Sequence, residues 1–195
     1  LERVAIVDFD VHHGNGTSDS FYDDPSVLYI STHQYPHYPG SGSTEEIGSG
    51  EATGTKLNIP LPAGCGDTEF RHVFAEIITP VVRRFQPQVI MVSAGYDPHW
   101  ADELAMMRVS INGFASMVAI IKRLADELCG GKMVFALEGG YHLKALAASV
   151  KATFDVLLGN QTEDPIGPPP HDSRKPDISV LVRELKQIHG LDAGM

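Results

Sequence analysis

Val4-Ala5-Ile6-Val7-Asp8-Phe9-Asp10-Val11-His12-His13-Gly14-Asn15-Gly16 is the stretch that decides how this chain is read. Its apolar opening predicts a buried strand. Asp8, Asp10 and His12 then follow at alternate positions, before glycine breaks the run. Side chains alternate across a strand, so these three start from one face. Carboxylate oxygen and imidazole nitrogen together suit a divalent metal, and zinc accepts both. Asp97 repeats the design, placed after the apolar run Val89-Ile90-Met91-Val92 and a glycine. Two aspartates and a histidine at the ends of two parallel strands would leave zinc one open position, the mark of a catalytic site. The plainer alternative has Asp8 and Asp10 capping a strand–helix junction beside solvated histidines, and a short motif alone does not exclude it.

Further strand-like runs fall near residues 26–31, 56–61, 88–94 and 133–137, with the first at 3–9. Between them lie amphipathic stretches. Asp67 is read as the cap of a helix reaching about Phe85, kinked or delayed by Pro80, and Ser110 as the cap of a second. A third follows Tyr141 to Leu157. Strands alternating with helices predict an α/β fold, a mostly parallel sheet flanked by helices. In such sheets ligands bind beyond the carboxyl ends of the strands. Asp10, His12, Asp97 and Gly139-Gly140-Tyr141 all sit there. Residues 34–55 form a long Gly/Ser/Thr/Pro-rich loop of the kind that is functional or disordered. Residues 165–176 read as an extended linker to a short terminal helix.

The 195 residues suit one domain. Lys+Arg 15 against Asp+Glu 25 gives a net charge of −10, which disfavours a phosphate backbone and so nucleic acid. Cys65 and Cys129 show neither disulfide nor metal spacing, the pattern of reduced thiols in a cytoplasm. No apolar stretch approaches a membrane span, so no membrane partner is expected. The chain opens at Leu1 and enters its first strand almost at once, which reads as a piece with material missing upstream.

Five segments, Asp8 to Thr17, Ser31-Thr32-His33-Gln34, Tyr38-Pro39-Gly40-Ser41-Gly42, Ser93-Ala94-Gly95-Tyr96-Asp97 and Leu137-Glu138-Gly139-Gly140-Tyr141, occur in one order. Together they resemble the zinc-dependent histone deacetylase family, in its class II-like and bacterial branch, with the arginase–deacetylase fold. The resemblance covers almost the whole chain. It implies residues 1–195 as the carboxyl-terminal portion of a single deacetylase-like domain, incomplete at the amino terminus. It further implies Asp10, His12 and Asp97 as zinc ligands and Tyr141 as the hydroxyl facing the substrate carbonyl. Tyr38 and Gly140 would line an acyl-lysine tunnel. A structural potassium ion would rest on Asp8, Ser31 and the carbonyls of Asp10, His12 and Thr32. A second would rest on the carbonyls of Phe21, Asp24 and Val27. The family's pair of adjacent general-base histidines precedes the first zinc segment and has no counterpart in this sequence.

The activity implied is removal of an acyl, typically acetyl, group from an acylated lysine of a protein or from a small acylated amine. The chain alone would turn over weakly or not at all, and its uncovered apolar surface would favour self-association. One alternative is an inactive acyl-lysine-binding module. Another is an arginase-like ureohydrolase, which needs an Asp-X-His-X-Asp spacing where this chain has Gly14.

Overall fold

The computed structural model describes residues 1–170 and 176–191. Residues 171–175 of the expected 165–176 linker, His171 among them, therefore lie outside the described residues. Five strands, β1 (Val4–Asp8), β2 (Val27–Gln34), β3 (Lys56–Leu61), β4 (Val89–Ala94) and β5 (Met133–Leu137), form one parallel sheet in the order β3-β2-β1-β4-β5. The strand order reverses between β1 and β4, so the crevice beyond their carboxyl ends is the ligand-binding position of such a sheet.

The helices are α1 (Asn15–Ser20), α2 (Asp67–Val73), α3 (Thr79–Phe85), α4 (Ile111–Cys129), α5 (Leu143–Leu158) and α6 (Ser179–Ile188). Ser110 caps α4 by accepting from the Gly113 amide, as its residue type favours. Asp67 is not a cap. Gly66 precedes α2, and the Asp67 carboxylate instead accepts from the Ser110 amide and hydroxyl. Pro80 neither delays nor breaks the helix. A π turn over Phe74–Ile78 joins α2 to α3, and the Thr79 amide and hydroxyl both bond the Phe74 carbonyl. That turn absorbs the bond that proline cannot donate.

The two faces of the sheet differ in kind. Ala5, Val7, Leu28, Ile30, Leu57, Ile59, Ile90 and Val92 alternate onto one face and pack against Phe70, Phe74, Ile77, Phe114 and Ile121 of the helices. Each such large side chain, once buried, contributes roughly 1.5–3 kcal/mol. The opposite face carries a row of polar side chains in register, Ser93, Asp8, Ser31 and Asn58. The long loop lies over this face and bonds to it. Asn58 Nδ2 donates to the Glu46 carbonyl and His33 Nε2 lies 2.9 Å from the Gly42 carbonyl. At the β5 edge Val134 and Leu137 are exposed, as are Phe154 and Leu158 of α5. No helix among the described residues is long and apolar enough to cross a membrane.

Candidate metal centre and its cavity

The chain leaves β1 at Asp8, and residues 9–14 continue as irregular backbone. The strand alternation that groups Asp8 with Asp10 and His12 therefore stops one residue in. Asp10 and His12 turn toward β4, where Asp97 meets them. One ligand atom from each of these three residues lies within 4.8 Å of the other two. His12 Nδ1 is 3.0 Å from Asp10 Oδ1 and 3.3 Å from Asp97 Oδ2. Backbone amides hold the outer oxygens, with Val11 donating to Asp97 Oδ1 and Gly139 to Asp10 Oδ2.

Glycine is required around this cluster by closeness. A Cβ on Gly139 would stand 2.2 Å from Asp97 Oδ2, and one on Gly95 2.2 Å from Asp10 Oδ2. Asp97 is fully buried, and among the described residues His12 Nδ1 is the one basic side-chain nitrogen within 4.0 Å of its Oδ2. Burial raises the Asp97 carboxyl above the ordinary range. For Asp10 burial acts the same way, but the His12 and Gly139 bonds outweigh it and hold the group low. Hydrogen bonds to both carboxylates push His12 up to about 10. Two buried carboxylates thus converge on one imidazole nitrogen and call for positive charge at a single point. Two oxygens and one nitrogen in this arrangement fit a divalent cation.

Asp8 stands apart from these three. Its Oδ2 accepts from the Tyr29 hydroxyl at 2.9 Å and its Oδ1 from the Asp10 amide at 3.0 Å. Ser31 is its register neighbour on β2, with Oγ 2.9 Å from His33 Nδ1, and Thr32 Oγ1 donates to the Asp8 carbonyl. Asp8, Ser31 and Thr32 are therefore side by side, as a potassium site would need. The other expected potassium site does not fit. The Lys56 ammonium already sits on the Asp24 and Val27 carbonyls, and the Phe21 carbonyl accepts from the Asp24 amide.

A cavity of about 540 Å³ opens on the metal cluster, lined in part by Asp10, His12, Tyr38, Leu104, Gly139 and Tyr141. Tyr38 approaches the His12 ring edge-on at 6.1 Å, and His37 stacks on that ring at 5.3 Å. Gly140 takes φ +137°, a conformation that L side chains resist. His13 also lines the cavity, with Nδ1 2.8 Å from Ser41 Oγ and a buried Nε2 that has no hydrogen-bond partner among the described residues. His142 is the cap of α5. His99 is buried, parallel to Phe114, and serves the core.

One residue of the site escapes sequence reading. Asp102 Oδ2 accepts from the amides of both Tyr141 and His142, at 2.7 and 3.0 Å. It clamps the turn that presents Tyr141 to the cavity. Its partners lie 39 and 40 residues away, so no local pattern announces it.

A parallel sheet with two aspartates and a histidine at its switch point defines the arginase–deacetylase class of α/β protein. Residues 1–157 match the histone deacetylase domain, and the chain belongs to the histone deacetylase family. It is 46% identical over 196 residues to histone deacetylase 10, chloroplastic, of Oryza sativa subsp. japonica, covering 98% of this chain and 44% of that protein. It is 52% identical over 162 residues to histone deacetylase 14, chloroplastic, of Arabidopsis thaliana, covering 83% and 38%. A probable deacetylase of Archaeoglobus fulgidus is 48% identical over 201 residues, covering 97% and 55%. Among solved structures, histone deacetylase Clr3 superposes with a TM-score of 0.86 at 34% identity, over 98% of this chain and 32% of that one. The HDA15 HD domain gives 0.81 at 35% identity, over 96% and 50%. The chain thus spans about half or less of the length of the curated relatives named.

Proposed function

We propose that this chain is the metal-binding portion of a zinc-dependent amide hydrolase that removes an acetyl group from an acylated lysine or a similar amine. The observation that carries this reading is the convergence of Asp10, His12 and Asp97 at the floor of a cavity that Tyr38 and Tyr141 also line. Three protein ligands leave zinc the open position that catalysis needs. A bound zinc supplies Lewis acidity toward the amide carbonyl and the attacking water.

The chain's own side chains provide the rest of its share. Tyr38 and His37 present aromatic walls suited to the aliphatic stem of a lysine. Gly140, at φ +137°, permits the backbone turn that leads into Tyr141. The Tyr141 hydroxyl donates to the carbonyl oxygen as negative charge develops there. Asp102 holds the Tyr141 and His142 amides and so fixes where that hydroxyl starts. His12 belongs to the cluster, His13 Nδ1 lies 2.8 Å from Ser41 Oγ, and His37 stacks on the His12 ring. The family resemblance expects the general base in a pair of adjacent histidines that has no counterpart among these residues. Asp8, Ser31 and Thr32 would hold a potassium ion behind the cluster. Acetylated protein in a reducing cytoplasm is the substrate setting we favour. The apolar side chains exposed on β5 and α5 support self-association.

Position 14 offers no ligand for an arginase-like second metal. A side chain at position 14 would have its Cβ 2.4 Å from the Tyr29 hydroxyl and 2.6 Å from Asp8 Oδ2. The test is metal analysis of a full-length parent carrying Asp97→Ala. Loss of most of the zinc, together with loss of deacetylation of a fluorogenic acetyl-lysine amide, is expected. Full zinc occupancy with retained turnover would end the reading. Zinc binding without turnover in the wild-type parent would favour the binding module.

A further inference from the structure

Lys56 opens β3 and is fully buried. Its register partner is Tyr29, on the polar face of the sheet and at the amino-terminal end, far from the cavity. An ammonium group has three donors and no acceptor. Here it meets three oxygens. Nζ lies 2.7 Å from Thr55 Oγ1, 2.8 Å from the Val27 carbonyl and 3.4 Å from the Asp24 carbonyl. No carboxylate oxygen among the described residues lies within 4.0 Å of it, although Asp23 and Asp24 are close enough to favour its charge.

A buried, unpaired ammonium is costly unless the oxygens around it would themselves be short of a cation. These oxygens come from the turn after α1, the first residue of β2 and the residue before β3. The Val27 carbonyl and the Asp24 carbonyl face the same point. They are two of the three carbonyls on which the family resemblance expects a second potassium ion. Potassium and ammonium make the same demand, a nest of neutral oxygens around one positive charge.

We infer that the Lys56 ammonium is a built-in replacement for that potassium ion, so that this carbonyl cage carries a tethered cation and binds no exchangeable one. The tether makes occupancy independent of the salt concentration. It also joins three chain segments that a free ion would join only when bound. Burial pushes the Lys56 amine down to about 8, with the Asp24 and Asp23 charges pulling the other way. The group is therefore still mostly protonated at neutral pH. The first potassium site, at Asp8, is untouched by this argument and is common to every variant below.

The test compares wild-type protein with Lys56→Ala, which opens the cage, and Lys56→Met, which fills it with a neutral stem. Thermal unfolding is followed in sodium and in potassium chloride at equal ionic strength. Crystals soaked in rubidium report occupied sites by anomalous scattering. Wild type and Lys56→Met should share the same potassium-minus-sodium difference in Tm. Lys56→Ala should show an added rise on the order of 5–10 °C at potassium about 100-fold above its Kd. It should also show a rubidium peak on the Val27 and Asp24 carbonyls. A rubidium peak in the wild-type cage overturns the inference. So does a folded Lys56→Ala with no added potassium response and no peak. Should Lys56→Ala fold only in potassium, the inference is supported. Should it fold in neither salt, wild-type protein decides, through rubidium soaks and nitrogen-15 NMR of the Lys56 side chain. A protected ammonium signal at pH 7 with no rubidium in the cage supports the inference, and a neutral amine at that pH overturns it.

Discussion

The helix-packed face of the sheet and the loop-covered face are built from the same five strands and obey different rules. On the first, apolar side chains interlock, and each contributes through area removed from water. On the second, Asp8 depends on Tyr29, Ser31 lies against His33, Lys56 on backbone carbonyls and Asn58 on Glu46. Every group there is worth having only while its partner is present. The apolar face keeps the strands in place. The polar face, with the crevice at its carboxyl end, holds the charges that the chemistry needs. Stability on one face should therefore be graded by volume, and on the other by pairing.

Phe74→Ala tests the first rule and should have the largest effect. Phe74 is fully buried within the helix-side core. Removing its ring should cost about 3–5 kcal/mol through lost transfer energy and a residual cavity. Urea or thermal unfolding reads the loss directly. A cost under ~1 kcal/mol would mean that this face tolerates voids and is not packed by volume.

Tyr141→Phe in a longer, active parent probes the crevice instead. Loss of one oxyanion donor should lower kcat about 10²–10³-fold, with zinc content and Tm unchanged. Asp102→Ala should act on the same step from one shell further out. A misplaced Tyr141 should cost up to about 10²-fold in kcat. In the double variant the two losses should not multiply, because Asp102 works through the tyrosine it positions. Full multiplication would assign Asp102 an independent role.

The first rule also has an acid-sensitive exception. His189, just after α6, is buried near Arg84, and burial together with that cation lowers its pKa to about 4. The ordinary value is 6.5. Above pH 6.5 the ring is neutral in both folded and unfolded chains, and the stability it permits is complete. As pH falls from 6.5 toward 4 the unfolded chain binds the proton first, so stability declines, by up to about 3 kcal/mol, and then levels off. His189→Phe should flatten that part of the Tm–pH curve. An unchanged slope would show that the ring is not held neutral.

How far the sequence carried the reading divides along the same line. All five strands were visible as apolar runs, because the central strands bury their helix-side face and β5, though largely exposed, keeps an apolar sequence. The cap of α4 was visible because Ser110 bonds three residues ahead. Asp10, His12 and Asp97 could be named because each lies within a few residues of a strand's carboxyl end. The polar face was opaque. Lys56 carries no local signal of its role, since its carbonyl acceptors lie 29 and 32 residues back. Asp102 was hidden in an aperiodic loop. The alternation used to set Asp8, Asp10 and His12 on one face does not extend past Asp8, where the strand stops. Pairings between distant segments are set by the topology and leave no period in the chain.

Tyr29→Phe is the finest test of the second rule, because it deletes a single oxygen. The ring stays, fully buried, with Ile6 and Val27 around it. No cavity of consequence forms, so grading by volume predicts almost no loss. Grading by pairing predicts otherwise. Asp8 Oδ2 loses its hydroxyl donor, and an orphaned buried acceptor costs about 1–3 kcal/mol. The decisive quantity is the coupling in a double-mutant cycle with Asp8→Leu. Once the carboxyl is gone, Tyr29→Phe removes a hydroxyl that already lacks its partner, so the second step should cost little or even stabilise. A coupling energy of about 1 kcal/mol or more would show that the pair acts as a unit. Additive losses would mean that the hydroxyl and the carboxyl contribute separately, and that the polar face is packed by the same rule as the apolar one.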